Sequence, residues 1–221
     1  MPPIDPAEFV AAVQPLLEGC NAQGLVAFIK SRWTDEQITS LFRSDNADAR
    51  KVAALAFGLI GQKRSLPKLT PLLKDHDPMV HQMAEHAMWS VWFRSGSPAA
   101  NHELCRGSKA MNRRDYDHAL KHFDRAIELD PNFAEAYNQR AIVHFLAERY
   151  DRAIEDCRRA VERMPCHFGA WAGMGHCHAH EGELAEAVRC YERALEVNPH
   201  LDGIPQAIAE LKARLDEGDG I

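Results

Sequence analysis

Apolar residues along this chain recur at three- and four-residue steps rather than at alternate positions, which predicts amphipathic helices and no sheet. In "HALKHFDRAIEL" (118–129), Ala119, Leu120, Phe123, Ala126 and Ile127 fall on one helical face. The pattern then returns at a fixed interval. Proline stands at 131, 165 and 199, a spacing of 34. The same spacing links Tyr116, Tyr150 and Leu184; Ala119, Ala153 and Ala187; and Ala126, Ala160 and Ala194. The segments "DYDHALKHFDRAIELDPN", "RYDRAIEDCRRAVERMPC" and "ELAEAVRCYERALEVNPH" are therefore copies of one element.

Proline closes each copy because it cannot continue a helix and biases its predecessor away from helical torsions. Upstream of each copy the pattern predicts a second helix, over about 100–112, 134–147 and 168–180. These carry Gly107, Ala141 and Gly175 at equivalent points, small enough for close crossing with a partner helix. Beyond Pro199, "IPQAIAELKARL" (204–215) predicts a capping helix with Pro205 in its first turn.

The first half repeats differently. "SDNADARKVAALAFGLIG" and "DHDPMVHQMAEHAMWSVW" align at a shift of 31, which pairs Asn46 with Asp77, Ala49 with Val80, Ala53 with Ala84 and Ala56 with Ala87. A shorter helix is expected before each, "TDEQITSLF" and "SLPKLTPLL", the first with Thr34 and Gln37 at capping-box spacing. Residues 6–32 predict two further helices ending at Trp33. The Gly/Ser/Pro-rich stretch "RSGSPAAN" (94–101) marks a boundary between domains 1–95 and 100–217.

These residues carry two resemblances. The second half resembles the tetratricopeptide repeat (TPR) family over about residues 100–200, in units of about 100–133, 134–167 and 168–201. Trp171, Gly175, Ala187, Tyr191, Ala194 and Pro199 occupy the signature places of the third unit. The second unit has Tyr137 and Cys157 instead of the tryptophan and the large aromatic, and the first has Glu103 and Arg106 where apolar residues are usual. Residues 34–94 resemble short HEAT repeats of the type also seen in phycobilisome-lyase-like proteins. Together the resemblances imply an all-α fold, a right-handed α-α superhelix of HEAT-like repeats, three TPR units and a capping helix.

The TPR resemblance also implies a concave groove that receives a peptide or partner helix. Its positions map onto Ser108 and Asn112; Glu135, Asn138, Gln139, Ile142 and Phe145; and Gly173, His176 and His180. Some TPR proteins grip the C-terminal carboxylate of chaperones with Lys, Asn and Arg. The matching positions here hold Leu104, Ser108, Gln139, Gly169 and Gly173, so no carboxylate-clamp chaperone binding is expected. An adaptor or scaffold for another protein or peptide is the function the repeats imply.

Composition narrows the alternatives. A chain with 46% hydrophobic and 26% charged residues is a folded protein. No apolar run reaches the ~18 residues of a membrane span, and the N-terminus lacks a secretory signal pattern. Six cysteines without a CxxC pair suit reduced thiols, and a cytoplasmic location is expected. The net charge of −6 comes entirely from residues 99–221, which makes nucleic acid an unlikely partner. Lys63, Arg64 and Lys68 nevertheless leave a nucleic-acid-binding HEAT surface as one alternative. No phosphate-binding loop, dinucleotide fingerprint or nucleophile elbow is found, so no catalytic residue and no cofactor are assigned.

Two stretches remain. "WAGMGHCHAHEGE" (171–183) is dense in metal-ligand types. On a regular helix His176 and His180 share a face while His178 lies ~200° round, so the three histidines do not converge and no metal is assigned. A metal-dependent or enzymatic module built on His176 and His180 is the second alternative. On the helix from Pro78, Trp89 and Phe93 fall off the stripe of Val80, Met83, Ala84, Ala87, Met88 and Val91. They form either a seam between the halves or a second partner patch.

Overall fold

The computed structural model describes residues 4–18 and 22–218, so the expectation of a reduced thiol at Cys20 lies outside the described residues. Every regular element among them is helical. Two compact units emerge, Met1–Trp92 and Phe93–Ile221.

In the first unit, α1 (Pro6–Glu18) and α2 (Ala22–Arg32) are the two expected leading helices. Phe9 and Phe28 meet Trp33 edge-on, with ring centroids 4.9 and 5.8 Å away. The capping box is present at α3 (Asp35–Ser40): the Gln37 N–H donates to Thr34 Oγ1, and the Thr34 N–H to Gln37 Oε1. Asn46 caps α4 (Ala47–Ile60) by accepting from the Ala49 N–H.

The expected helix over "SLPKLTPLL" is broken. A 3-10 turn (Lys63–Ser65), the single α-turn α5 (Leu66–Leu69) and a second 3-10 stretch (Thr70–Lys74) take its place. Pro71 removes a backbone donor and crowds the preceding turn, so the chain tightens while Leu66, Leu69, Leu72 and Leu73 stay buried. The final helix of this unit, α6 (Pro78–Trp92), crosses α4 closely. A Cβ on Gly58 would lie 3.1 Å from Ala87 Cα. The buried Arg50 forms a bidentate pair with Asp75 at 2.7 and 2.9 Å and also donates to the Ser44 carbonyl.

The second unit is three antiparallel helix pairs and a final helix: α7 (Pro98–Asn112) with α8 (Tyr116–Leu129), α9 (Ala134–Leu146) with α10 (Tyr150–Arg163), α11 (Phe168–His180) with α12 (Leu184–Val197), then α13 (Ile204–Gly218). Inside each pair, small and large residues are matched. A Cβ on Gly107 would lie 2.5 Å from the Phe123 ring, and one on Gly175 would lie 2.5 Å from the Tyr191 ring. In the middle pair the glycine is replaced by Ala141, and the small Cys157 shares its buried cluster.

One turn closes all three pairs. Arg114 (φ 60°), Glu148 (φ 55°) and Gly182 (φ 79°) occupy the left-handed region. The following N–H groups of Asp115, Arg149 and Glu183 reach back to the carbonyls of Ala110, His144 and His178 at 2.9–3.0 Å, the 6→1 bond of a Schellman turn. Within the middle pair, Arg140 on α9 grips buried Asp156 on α10 through two bonds of 2.6 and 2.7 Å, and between repeats it reaches Asp124 on α8 at 2.7 Å. Tyr137 and Trp171, 34 apart, donate to the carbonyls of Pro131 and Pro165. α13 covers the last pair, burying Ile204 and Leu211 against Ala187, Val188 and Tyr191.

Candidate functional site

The first helix of each pair, α7, α9 and α11, pack along one face of the second unit, with α9 touching both neighbours. These three helices carry the ten residues mapped to the groove, and their surroundings divide them into three groups.

Glu135, Asn138 and Gln139 are buried. Glu135 Oε1 accepts from Gln139 Nε2 at 2.6 Å and from Asn138 Nδ2 at 3.4 Å. Its other oxygen lies 2.8 Å from Nε2 of His167, a residue with no exposed surface. The Ala170 N–H donates to His167 Nδ1, so the ring proton sits on Nε2 and points at the carboxylate. This network satisfies a carboxylate that would otherwise be costly to bury. Sequence reasoning missed His167. Its position as the residue that caps α11 was the available signal, because an imidazole at a helix start can accept a backbone N–H.

Ser108 is committed to its own helix, donating to the Leu104 carbonyl, while Asn112 is exposed. Leu104 is buried, and a Cβ on Gly173 would sit 3.3 Å from Cys157 Sγ.

The third group is open and apolar or aromatic. Ile142 is 37% exposed and Leu146, one turn on, is 49% exposed. Beside them Phe145 meets Tyr150 and His180, with centroids 5.6 and 5.3 Å away, and Tyr150 stacks on His180 at 5.0 Å. Tyr150 Oη lies 3.4 Å from His180 Nδ1, and His176 Nδ1 lies 2.7 Å from Tyr191 Oη. Desolvation and the neighbouring His180 lower the His176 pKa, and burial pushes the Tyr191 phenol up to about 12. His176 and His180 thus have separate tyrosine partners. It is His178 that finds acidic company, with Nδ1 2.5 Å from Glu183 Oε2.

Elsewhere, Arg106, whose place is usually apolar, lines a cleft of about 330 Å³ with Lys109, Arg113, His118 and His122. Trp89 is half-buried and edge-on to Trp92, while Phe93 is 39% exposed. α6 ends at Trp92, so Phe93 lies just past the helix. A backbone hydrogen bond, a hydrogen bond from Thr34 and, least, the charges of Lys68 and Arg64 lower the pKa of the exposed Glu36 carboxylate. Cys105, Cys157, Cys177 and Cys190 are free thiols, and burial raises the pKa of Cys157, of Cys190 and, to about 12, of Cys177. No helix among the described residues is long and apolar enough to cross a membrane.

Comparison with known proteins agrees with this geometry. Two tetratricopeptide-repeat models match residues 106–166 and 169–201, and a HEAT-repeat model matches residues 35–112. The chain carries tetratricopeptide and HEAT repeats. The HEAT match runs past Trp92 to the end of α7, overlapping the start of the tetratricopeptide match at residues 106–112. Among curated relatives, small glutamine-rich tetratricopeptide repeat-containing protein 2 of Mycosarcoma maydis is 32% identical over 109 residues, 49% of this chain and 31% of that protein. A TPR repeat-containing protein of Rhizobium etli is 28% identical over 162 residues, covering 73% of this chain and 79% of its own length. The chain therefore spans under a third of the first relative and most of the second.

Solved TPR domains share the fold. The first TPR of Spaghetti (RPAP3), bound to the HSP90 peptide SRMEEVD, superposes with a TM-score of 0.53 at 24% identity, covering 54% of this chain and 95% of that one. The Sgt2 TPR domain from Aspergillus fumigatus gives a TM-score of 0.53 at 21% identity, covering 56% and 83%.

Proposed function

We propose that the TPR unit is a non-catalytic protein-interaction module, and that it receives a peptide or helix of a partner protein on the face of α9 and α11. The observation that carries this reading is the exposure of Ile142 and Leu146 beside the Phe145–Tyr150–His180 cluster. Exposed large apolar side chains next to aromatic rings are the composition of a peptide-anchoring surface. A TPR domain of the same fold is seen with a peptide bound, which supports the class of partner.

The chemistry of the face favours apolar anchoring over recognition of a terminal carboxylate. The positions equivalent to the clamp carry no cation, Leu104 is buried, and Gln139 is engaged by the Glu135 carboxylate.

Peptide-display selection against the full chain, followed by fluorescence polarisation, tests the reading. Selected peptides are expected to carry apolar anchors and to lose at least tenfold in affinity to an Ile142→Ser, Leu146→Ser variant. Failure to enrich any peptide, or equal binding by the variant, would refute the face. Tighter binding of SRMEEVD than of the selected peptides would refute the apolar reading.

A further inference from the structure

The turn that closes the third TPR unit carries three ligand-type side chains where each of its counterparts carries one. The positions of His178, Glu181 and Glu183 are filled by Ala110, Arg113 and Asp115 in the first unit and by His144, Ala147 and Arg149 in the second. The same 6→1 backbone bond closes all three turns, so the turn itself does not require these side chains.

In the third unit the turn gathers them. Gly182 at φ 79° reverses the chain, and the Glu183 N–H donates to the His178 carbonyl. Glu181 is held as the last residue of the α11 end by its N–H bond to the Cys177 carbonyl. One nitrogen of His178 and one oxygen each of Glu181 and Glu183 then lie within 4.8 Å of one another. An ion bonded at about 2.0–2.2 Å to each donor would replace the direct contact of 2.5 Å between His178 Nδ1 and Glu183 Oε2, with rotamer adjustments of the three side chains. Two carboxylates thus stand beside one imidazole, a local excess of negative charge.

We propose that His178, Glu181 and Glu183 bind a divalent transition-metal ion that clips the end of α11 to the start of α12. The imidazole decides the class of ion. Mixed nitrogen and oxygen donors suit zinc and its neighbours, whereas magnesium and calcium take oxygen alone. His176 and His180, bonded to Tyr191 and Tyr150, stand outside the set.

Calorimetric titration of the full chain with Zn²⁺, after chelator treatment and dialysis, tests the proposal. One ion per chain is expected, with the dissociation constant raised at least tenfold by His178→Ala and by Glu183→Gln. A His176→Ala, His180→Ala variant is expected to bind as the wild type does. Mg²⁺ and Ca²⁺ at the same concentration are expected to give no saturable heat. Circular dichroism of each variant excludes a folding defect as the source of a loss. No zinc binding at 100 μM, or zinc binding that survives His178→Ala, or loss on removing His176 and His180, would each overturn it.

Discussion

Gly175→Ala is the sharpest test of how the repeats hold together. The new methyl carbon would lie 2.5 and 2.6 Å from Tyr191 Cδ1 and Cε1 and 3.1 Å from Cγ. These are ring atoms of a side chain that is 2% exposed, so the obstacle has little room to move. Two effects oppose each other. Alanine gains about 1 kcal/mol of helix propensity over glycine. Forcing a methyl into a packed core costs about 1–3 kcal/mol, and the short contacts place this case at the upper end. The net expectation is a loss of about 1–2 kcal/mol, a fall in Tm of about 4–7 °C for a unit of roughly 130 residues. The middle repeat supplies the control, since it already pairs Ala141 with Cys157. In a double-mutant cycle, Gly175→Ala should therefore cost less in a Tyr191→Cys background, with a coupling of about 1 kcal/mol or more. Thermal melts of the four proteins read this directly. A wild-type background stabilised by Gly175→Ala, or a coupling near zero, would refute the packing argument.

Other consequences follow from the same contacts. Arg114 and Glu148 hold left-handed torsions that glycine adopts at no steric cost, so Arg114→Gly and Glu148→Gly should each raise stability by about 0.5–1 kcal/mol in urea melts, whereas Gly182→Ala should lower it. Arg140→Ala strands the buried Asp156 carboxylate and should cost about 3 kcal/mol, partly recovered by Asp156→Asn in the same chain. His144 and His176 both have pKa values lowered by burial from 6.5. The unfolded chain then binds more protons than the folded one just below pH 6.5, so their contribution falls as pH drops from there and levels off below the folded pKa. A Tm profile between pH 7 and 5 should slope less in a His144→Gln, His176→Gln variant, and parallel profiles would sink the assignment. The Ile142→Ser, Leu146→Ser variant should keep the wild-type Tm within about 2 °C, because surface substitutions seldom exceed about 0.5 kcal/mol.

The 34-residue period, the helix pairs and the capping box at Thr34 were legible because each depends on neighbours a few positions apart. A helix face, a cap and a proline stop are local events, and the 3.6-residue period records them directly. The small residues at 107, 141 and 175 were legible as crossing points for the same reason, although the aromatic ring opposite two of them was not.

What the sequence left undecided involves groups brought together from different turns and helices. Glu135 and His167 are 32 residues apart, and only the stacking of α11 on α9 turns a mapped groove acid into a buried, satisfied one. Arg50 and Asp75 meet across 25 residues in the same way. On a helical wheel the ligand-type residues of "GHCHAHEGE" point apart, and that remains true of His176, His178 and His180. Glu183 lies beyond the wheel, because Gly182 ends the regular helix and folds the next residue back over the last turn. Periodicity by itself determined the elements and their order. Tertiary structure alone decided which polar groups are buried together, because the low dielectric between packed helices compels partners that no local pattern encodes.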